Sequence, residues 1–364
     1  MTGEPRKRIC VIFGGRSAEH EVSLDSGRSV MEALDKGRYE VVPLLVSREG
    51  RWLLLPSPKA AGEEGREVIL SPAPGRPALL LAEGGGEAAR VDAFIPMIHG
   101  TFGEDGTLQG LLELADIPFV GSGCTASAVS MDKGITKAVL RAAGLPVLPT
   151  LTVTKGRWEA DRRGVLSEVE SRFTFPVFVK PASLGSSVGV HRVESGGRAE
   201  KAIADAMGYD VKVLVEEDAQ GHEVECSILE GPAAGEILAS PLAEIRPKTG
   251  WYDYRAKYTP GLTEILIPAP LDESVAERIR AHARTAFLAL GCSGLARVDG
   301  FFRERTGETY INEVNTLPGF TPLSGYPKMI QAAGIPYAAM LDRLIACAFS
   351  RAEQSRARSF RRLG

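Results

Sequence analysis

Short apolar runs and polar, glycine-rich turns alternate along the first third of the chain. Ile9, Val11, Ile12 and Phe13 form a run that stops at Gly14-Gly15, which reads as a buried strand. The pattern predicts a helix over residues 24–34, a strand over 39–46, a strand over 91–98 and a helix over 108–115. Between the last two lies the loop His99-Gly-Thr-Phe-Gly-Glu-Asp-Gly106. This βαβ alternation predicts a parallel sheet covered by helices. Residues 56–90, rich in Pro, Gly and Glu, read as loop with weak strands.

Further on, the pattern predicts a helix over 132–143, closed by Gly144 with Pro146 beyond. Strands follow at 147–153 and 175–181, then a Gly/Ser loop at 183–189 and a helix at 198–207. Strands come next at 211–216 and 222–230, and residues 246–262 read as a long ordered loop. An amphipathic helix over 272–290 leads into two more strands, and a final helix covers 336–349. The tail, 350–364, carries five arginines and reads as a frayed, solvated end. No internal repeat is visible.

Composition narrows the class. The 364 residues suffice for two or three domains. Apolar content of 44% and charged content of 24% suit a soluble globular enzyme. A net charge of −3 gives no electrostatic case for nucleic acid or an anionic membrane. The five scattered cysteines make no C-x-x-C pair, which argues against a disulfide framework or a zinc site and for a reducing compartment. The apolar run at 9–13 is too short for a signal sequence or a membrane span, so a cytoplasmic protein is expected.

The densest chemistry lies in residues 291–319. Arg297 and Asp299 share one strand face, and Glu313 and Asn315 share a face of the next strand. If the strands pair, three oxygen ligands and one guanidinium converge, a donor set that suits Mg²⁺ better than zinc or copper. Such a site points to a nucleotide's phosphates. Lys180 leaves a strand beside Ser183-Leu-Gly-Ser-Ser-Val-Gly189, whose backbone N–H groups suit an anion. Alone that stretch reads as a turn; beside the oxygen cluster it reads as a phosphate site, though not a P-loop. Lys133 and Lys137, one helical turn apart, read on local grounds as a solvated helix face. Glu216, Glu217, Asp218 and Glu223 are compatible with surface charge, or with an adenine edge near Glu216 and ribose hydroxyls at Glu223. His99 sits where open α/β sheets bind ligands, although a lone histidine is commonly structural. Gly14-Gly-Arg-Ser-Ala-Glu-His20 lacks the third glycine of a dinucleotide turn; Ser17 caps a helix there and Glu19 is left to face a ligand.

Nine segments in order resemble the D-alanine–D-alanine ligases of the ATP-grasp superfamily. They are Gly14-Gly-Arg-Ser-Ala-Glu-His-Glu-Val-Ser23, the stretch from His99 to Gly110, Gly121-Ser-Gly123, Met131-Asp-Lys133, Val179-Lys-Pro181, Gly185-Ser-Ser-Val-Gly189, Tyr252-Asp-Tyr-Arg-Ala-Lys-Tyr258, Arg297-Val-Asp299, and Glu313-Val-Asn-Thr-Leu-Pro-Gly-Phe-Thr321. The resemblance implies a three-domain α/β ATP-grasp fold with an N-terminal parallel-sheet domain (1–122), a central subdomain (123–215), a C-terminal domain (216–350) and a basic tail (351–364). It implies ATP, two Mg²⁺ or Mn²⁺ ions, two D-alanines as substrates, and a homodimer. By this resemblance Asp299, Glu313 and Asn315 hold the metals, while Lys133, Lys180 and Lys257 contact phosphates. Glu216, Glu217, Ala219 and Glu223 bind the nucleoside. Arg297 and the Gly319 N–H form an oxyanion site. Glu19 binds the first ammonium in a triad with Ser186 and Tyr258, His99 lies near that substrate, and Ser324 contacts the second carboxylate. The loop 246–262 acts as a lid.

The sequence departs from the family at Gly325, where Leu or Met is expected beside the second substrate, and at Glu217, where lysine also occurs. Tyr258 favours an amine acceptor over a hydroxy acid. D-alanine–D-serine or D-alanine–D-lactate ligases, and an inactive nucleotide-binding relative, are the alternatives.

Overall fold

The computed structural model describes residues 5–60, 64–74, 78–231, 233, 235–248, 250, 259 and 261–358. Three sheets organise them. In the first, Lys7–Gly14 runs parallel to Tyr39–Val46 on one side and Ala93–Pro96 on the other. The expected parallel sheet stops there. Trp52–Leu54, Arg66–Leu70, Ala78–Leu81 and Glu87–Arg90 extend it antiparallel to seven strands, so the stretch read as loop with weak strands supplies three of the four outer strands. Its strand signal is short but present: Val68 and Leu70 are buried while Arg66, Glu67 and Ile69 are exposed.

The second sheet orders His191–Val193, Val177–Pro181, Lys212–Glu217 and Thr150–Thr154, all antiparallel. The third centres on His222–Glu230, Leu295–Arg303 and Glu308–Asn315, with Ala243–Pro247 and Thr263–Leu266 at its edge. The last two strands flank the stretch expected to be a long loop. Residues 249, 251–258 and 260 of it, including Lys257 and Tyr258, lie outside the described residues.

The final helix corrects the tail. Tyr337–Arg356 continues well past residue 349. Arg351 is partly buried rather than solvated: it donates to the carbonyls of Gly121 and Phe119 and lies 4.3 Å over the Phe119 ring. Arg356 donates to Asp116 at 2.9 Å. Met340, Leu341, Leu344 and Ile345 share one core with Ile9, Val11 and Ile95 of the first sheet. The chain's end is thereby packed against its beginning. Helices Cys124–Met131, Lys155–Ala160, Arg162–Arg172 and Gly325–Ala332 add to the elements expected from the pattern. No single described helix is long and apolar enough to cross a membrane.

Candidate active site

Leu295–Arg303 and Glu308–Asn315 pair antiparallel, with Arg297 opposite Asn315 and Asp299 opposite Glu313. Four candidate side chains thus meet on one face across alternate rungs of one ladder, with Val298 and Val314 paired between them. The register slips between Asp299 and Gly300, a bulge of the kind that re-aims side chains beside active sites. A Cβ on Gly300 would stand 2.4 Å from the Tyr310 carbonyl oxygen, so only glycine fits that step.

Arg297 grips Asp299 with both prongs of its guanidinium, Nε to Oδ1 at 2.7 Å and Nη2 to Oδ2 at 2.6 Å. Asn315 Nδ2 donates to the same carboxylate at 2.8 Å, which turns its amide oxygen into the remaining acceptor. Glu225, on the strand alongside, faces Asp299 in register and lies 3.4 Å from Arg297 Nε. Partial burial works against the guanidinium's charge, but Asp299 and Glu225 outweigh it and hold the proton more firmly than usual. Among the described residues no three His, Cys, Asp or Glu side chains group to hold a metal. The donor set is two carboxylates and an amide, all hard oxygen, which fits Mg²⁺ or Mn²⁺ completed by a nucleotide's own oxygens.

At the other end of the cleft, Asp132 caps helix Lys133–Ala142 by accepting from Gly134 and Ile135. The helix presents Lys133 and Lys137 inward, not to solvent: Lys137 is 1% exposed. Lys133 donates to the Leu184 carbonyl at 2.8 Å and lies 3.3 Å from Glu313. Lys180 donates to Glu216 at 2.9 Å and to Asn312 at 3.1 Å. Lys137 Nζ is 2.8 Å from the other Glu216 oxygen, at ion-pair distance but off a hydrogen-bond angle. Glu216 is therefore buried between two lysines rather than a surface charge. Burial opposes its ionisation, yet Lys137 and Lys180 hold it down at about 2. Burial in turn lowers Lys137 to about 8, against the pull of Glu216. Lys133, Lys180, Glu216, Asn312 and Glu313 line a cavity of about 700 Å³ together with Glu217, Ala219 and Glu223. Arg303 ties that rim by donating to the Ala219 carbonyl at 2.9 Å and to Glu217 at 3.1 Å.

An adjoining cavity of about 420 Å³ holds the remaining candidates. The Ser186 hydroxyl donates to Glu19, joining the first sheet's loop to the Gly/Ser loop. Ser186 and Ser187 sit at φ of 53° and 57°, a strained left-handed turn for residues with a Cβ. Buried His99 bridges Ser26 (2.8 Å, through Nε2) and the Leu317 carbonyl (3.1 Å). The carbonyl can only accept, so Nδ1 carries the proton and Nε2 takes that of Ser26. Ser324 Oγ accepts from the Thr321 N–H at 3.1 Å and stands 3.1 Å from where a Gly319 Cβ would be.

Sequence reasoning misses Glu104, Glu225, Asn312 and the inward turn of Lys137. Glu225 is legible: it follows Glu223 at period two on a strand. Asn312 carries no signal, because its link to Lys180 crosses between two sheets.

Comparison with known proteins agrees with this layout. The family model for the D-ala D-ala ligase N-terminus matches residues 8–122, and that for the C-terminus matches 139–346. A D-alanine–D-alanine ligase A of Bradyrhizobium diazoefficiens is 43% identical, covering 95% of this chain and 96% of the relative. The Deinococcus radiodurans D-alanine–D-alanine ligase is 44% identical over 93% of this chain and 98% of its own length. Among solved structures, the D-alanine–D-alanine ligase from Coxiella burnetii superposes with a TM-score of 0.85 at 35% identity, covering 96% of each chain. The VanG D-Ala:D-Ser ligase from Enterococcus faecalis also gives 0.85 at 35% identity, covering 94% of this chain and all of the other.

Proposed function

This chain belongs to the D-alanine–D-alanine ligase family, and on that premise we propose that it joins two D-alanines into D-alanyl-D-alanine at the expense of ATP, for peptidoglycan precursor synthesis. The observation that carries the reading is the continuity of the two cavities. Lys133, Glu313, Gly185 and Ser186 line both, so a phosphate chain in the first reaches an amino acid in the second.

Phosphoryl transfer to a carboxylate needs no protein nucleophile; it needs cations on the phosphate oxygens and held geometry. Lys133 and Lys180, with Lys257 from outside the described residues, serve the phosphates. Asp299, Glu313 and Asn315 would hold two Mg²⁺ or Mn²⁺ ions, which supply charge neutralisation at the transferring phosphoryl group. Glu216, Glu217, Ala219 and Glu223 line the nucleoside end. Glu19, fixed by Ser186, orients the first D-alanine through its ammonium, and His99 braces the wall behind it. The first carboxylate takes the γ-phosphoryl group, giving D-alanyl phosphate and ADP. The second D-alanine, held at Ser324, attacks with its amine. Arg297 and the Gly319 N–H face the developing oxyanion, one such donor being worth roughly 3 kcal/mol of barrier. Phosphate then leaves. A lid from residues 246–262, with Tyr258, excludes the water that would hydrolyse the acyl phosphate. Domain boundaries near 122, 215 and 350, a homodimer and a cytoplasmic setting complete the proposal.

A D-alanine–D-serine ligase is the second reading. Gly325 supports it by leaving the acceptor side of the cavity without a side chain. Incubation with ATP, Mg²⁺ and D-alanine, alone or with D-serine or D-lactate, followed by phosphate release and product mass, decides. Dipeptide from D-alanine alone is expected; preferential D-alanyl-D-serine would favour the second reading, and no phosphate release with any acceptor would overturn both.

A further inference from the structure

Glu104 projects from the loop His99–Gly106 into the smaller cavity, where Glu19 also lies. Gly100 is wedged between the two carboxylates. Its N–H donates to Glu104 Oε1 at 2.6 Å, and a Cβ on it would stand 2.7 Å from Glu19 Oε2. Two carboxylates in one cleft do not both ionise readily; a bound cation between them changes that. We propose that Glu104 is a second carboxylate of the first-substrate site, protonated while no ammonium is bound, and that it releases its proton to solvent when the ammonium docks. The inference rests on the reading that Glu19 faces an amino acid. The balance is simple: the neutral acid and a substrate ammonium become a carboxylate–ammonium pair plus one proton in solvent.

The surroundings support it. Burial and then Glu19 raise Glu104 to about 8, against the Gly100 N–H, Arg297 and Lys133. The charged or titratable groups facing this site are Glu19 ahead of the first helix and Asp25 on it, Lys133 at a helix start, Arg297, Glu225 and Glu313 on the strands, and His99 and Asp105 from the same loop. Glu225 lies against Arg297 and Glu313 against Lys133. His99 is held neutral, first by burial. Asp105 is occupied by the N–H groups of Phe102 and Thr107. Glu104 is thus the group with a proton to give at neutral pH.

Calorimetric titration of D-alanine into the protein with Mg²⁺ and a non-hydrolysable ATP analogue tests this, in buffers of different ionisation enthalpy at pH 7. The wild type is expected to release close to one proton per protein molecule as the first-substrate site fills, and its KM for the first D-alanine should fall about tenfold between pH 6 and 7. Glu104→Gln keeps the acceptor for Gly100 but has no proton to give. It should release almost none, raise that KM several-fold and flatten its pH dependence, while Glu104→Asp restores the release. Zero release from a wild type that makes dipeptide, or equal release from Glu104→Gln, overturns the inference alone. A wild type that makes no dipeptide overturns the function beneath it.

Discussion

Where Lys137 and Lys180 close on Glu216, two cations share one carboxylate; where Arg297 lies between Asp299 and Glu225, two carboxylates share one cation. The second cluster is built wholly from neighbouring antiparallel strands, whereas the first adds Lys137 from a helix to two such strands. Their imbalance has opposite sign. The first leaves positive charge for phosphates, and the second, with Glu19 nearby, leaves negative charge for metal ions and an ammonium. Charge left over after internal pairing is thus a guide to the ligand at each end, since a buried imbalance is costly unless a ligand completes it.

The severest break of this comparison is Glu216→Ala, which strands Lys137 and Lys180 without their shared carboxylate. Unfolding free energy should drop by about 3–5 kcal/mol, a large share of a typical total, with ATP binding lost. Lys137→Met sharpens the point, because Glu216 keeps Lys180 and only the surplus cation goes. Its cost should be less than half as large, read from denaturant unfolding of both variants. Equal losses would mean that the surplus charge is not what the cluster is for. The pH dependence gives a further check. Glu216 titrates below its ordinary value, so its contribution is present above about 4.5 and fades as pH falls toward 2. Lys137 titrates at about 8 rather than 10.5, so the strain of charging it is present below 8 and is relieved as pH rises through that window. The wild type should therefore gain stability relative to Lys137→Met as pH rises from about 8 to about 10.

A smaller loss is expected at the other cluster from Arg297→Lys. The charge remains, but the fork that engages Asp299 at both oxygens is gone. Turnover should fall about 100-fold or more, as for loss of one oxyanion donor. Stability should drop only by about 2 kcal/mol, the worth of a charge-assisted hydrogen bond. Turnover within a few-fold of wild type would remove Arg297 from the reaction and leave it a structural partner of Asp299.

How much of each cluster is legible in the sequence follows from how it is built. Arg297, Asp299, Glu313 and Asn315 alternate on two adjacent strands, so period two alone brings them together. The lysine cluster draws on a helix, a strand of one sheet, and Asn312 of another. Helical spacing places Lys133 and Lys137 on one face but not which way that face turns, and the solvated reading fails there. Inward rotation is a tertiary fact, set by Thr136 and Leu140 packing on that side of the helix. The same limit applies to Arg351. An arginine-rich end is ordinarily solvated, and only the carbonyls of Gly121 and Phe119, more than two hundred residues away in sequence, explain its burial. In the first sheet, a continuous apolar run finds Tyr39–Val46 to the residue, but outer strands of three to five residues are drowned by the glycine and proline around them.

The mildest change, Gly325→Ala, tests how tightly the carboxylate-rich end is closed around its acceptor. The added Cβ would meet Glu225 Oε2 at 3.0 Å and Met329 Cε at 3.9 Å, so Glu225 must give by a few tenths of an ångström. The position is the first of helix Gly325–Ala332, where alanine is favoured over glycine by up to about 1 kcal/mol. That gain and the crowding oppose each other, and the unfolding midpoint should move by no more than a couple of degrees. The effect should appear instead in KM for the second D-alanine, raised about two- to five-fold with turnover little changed, because Glu225 also touches Arg297 at 3.4 Å. A larger acceptor such as D-serine should suffer more than D-alanine. If KM falls for both, the methyl group is filling idle space. Glu225 then does not wall the acceptor site, and the surplus negative charge at this end serves the metal ions and the first ammonium only.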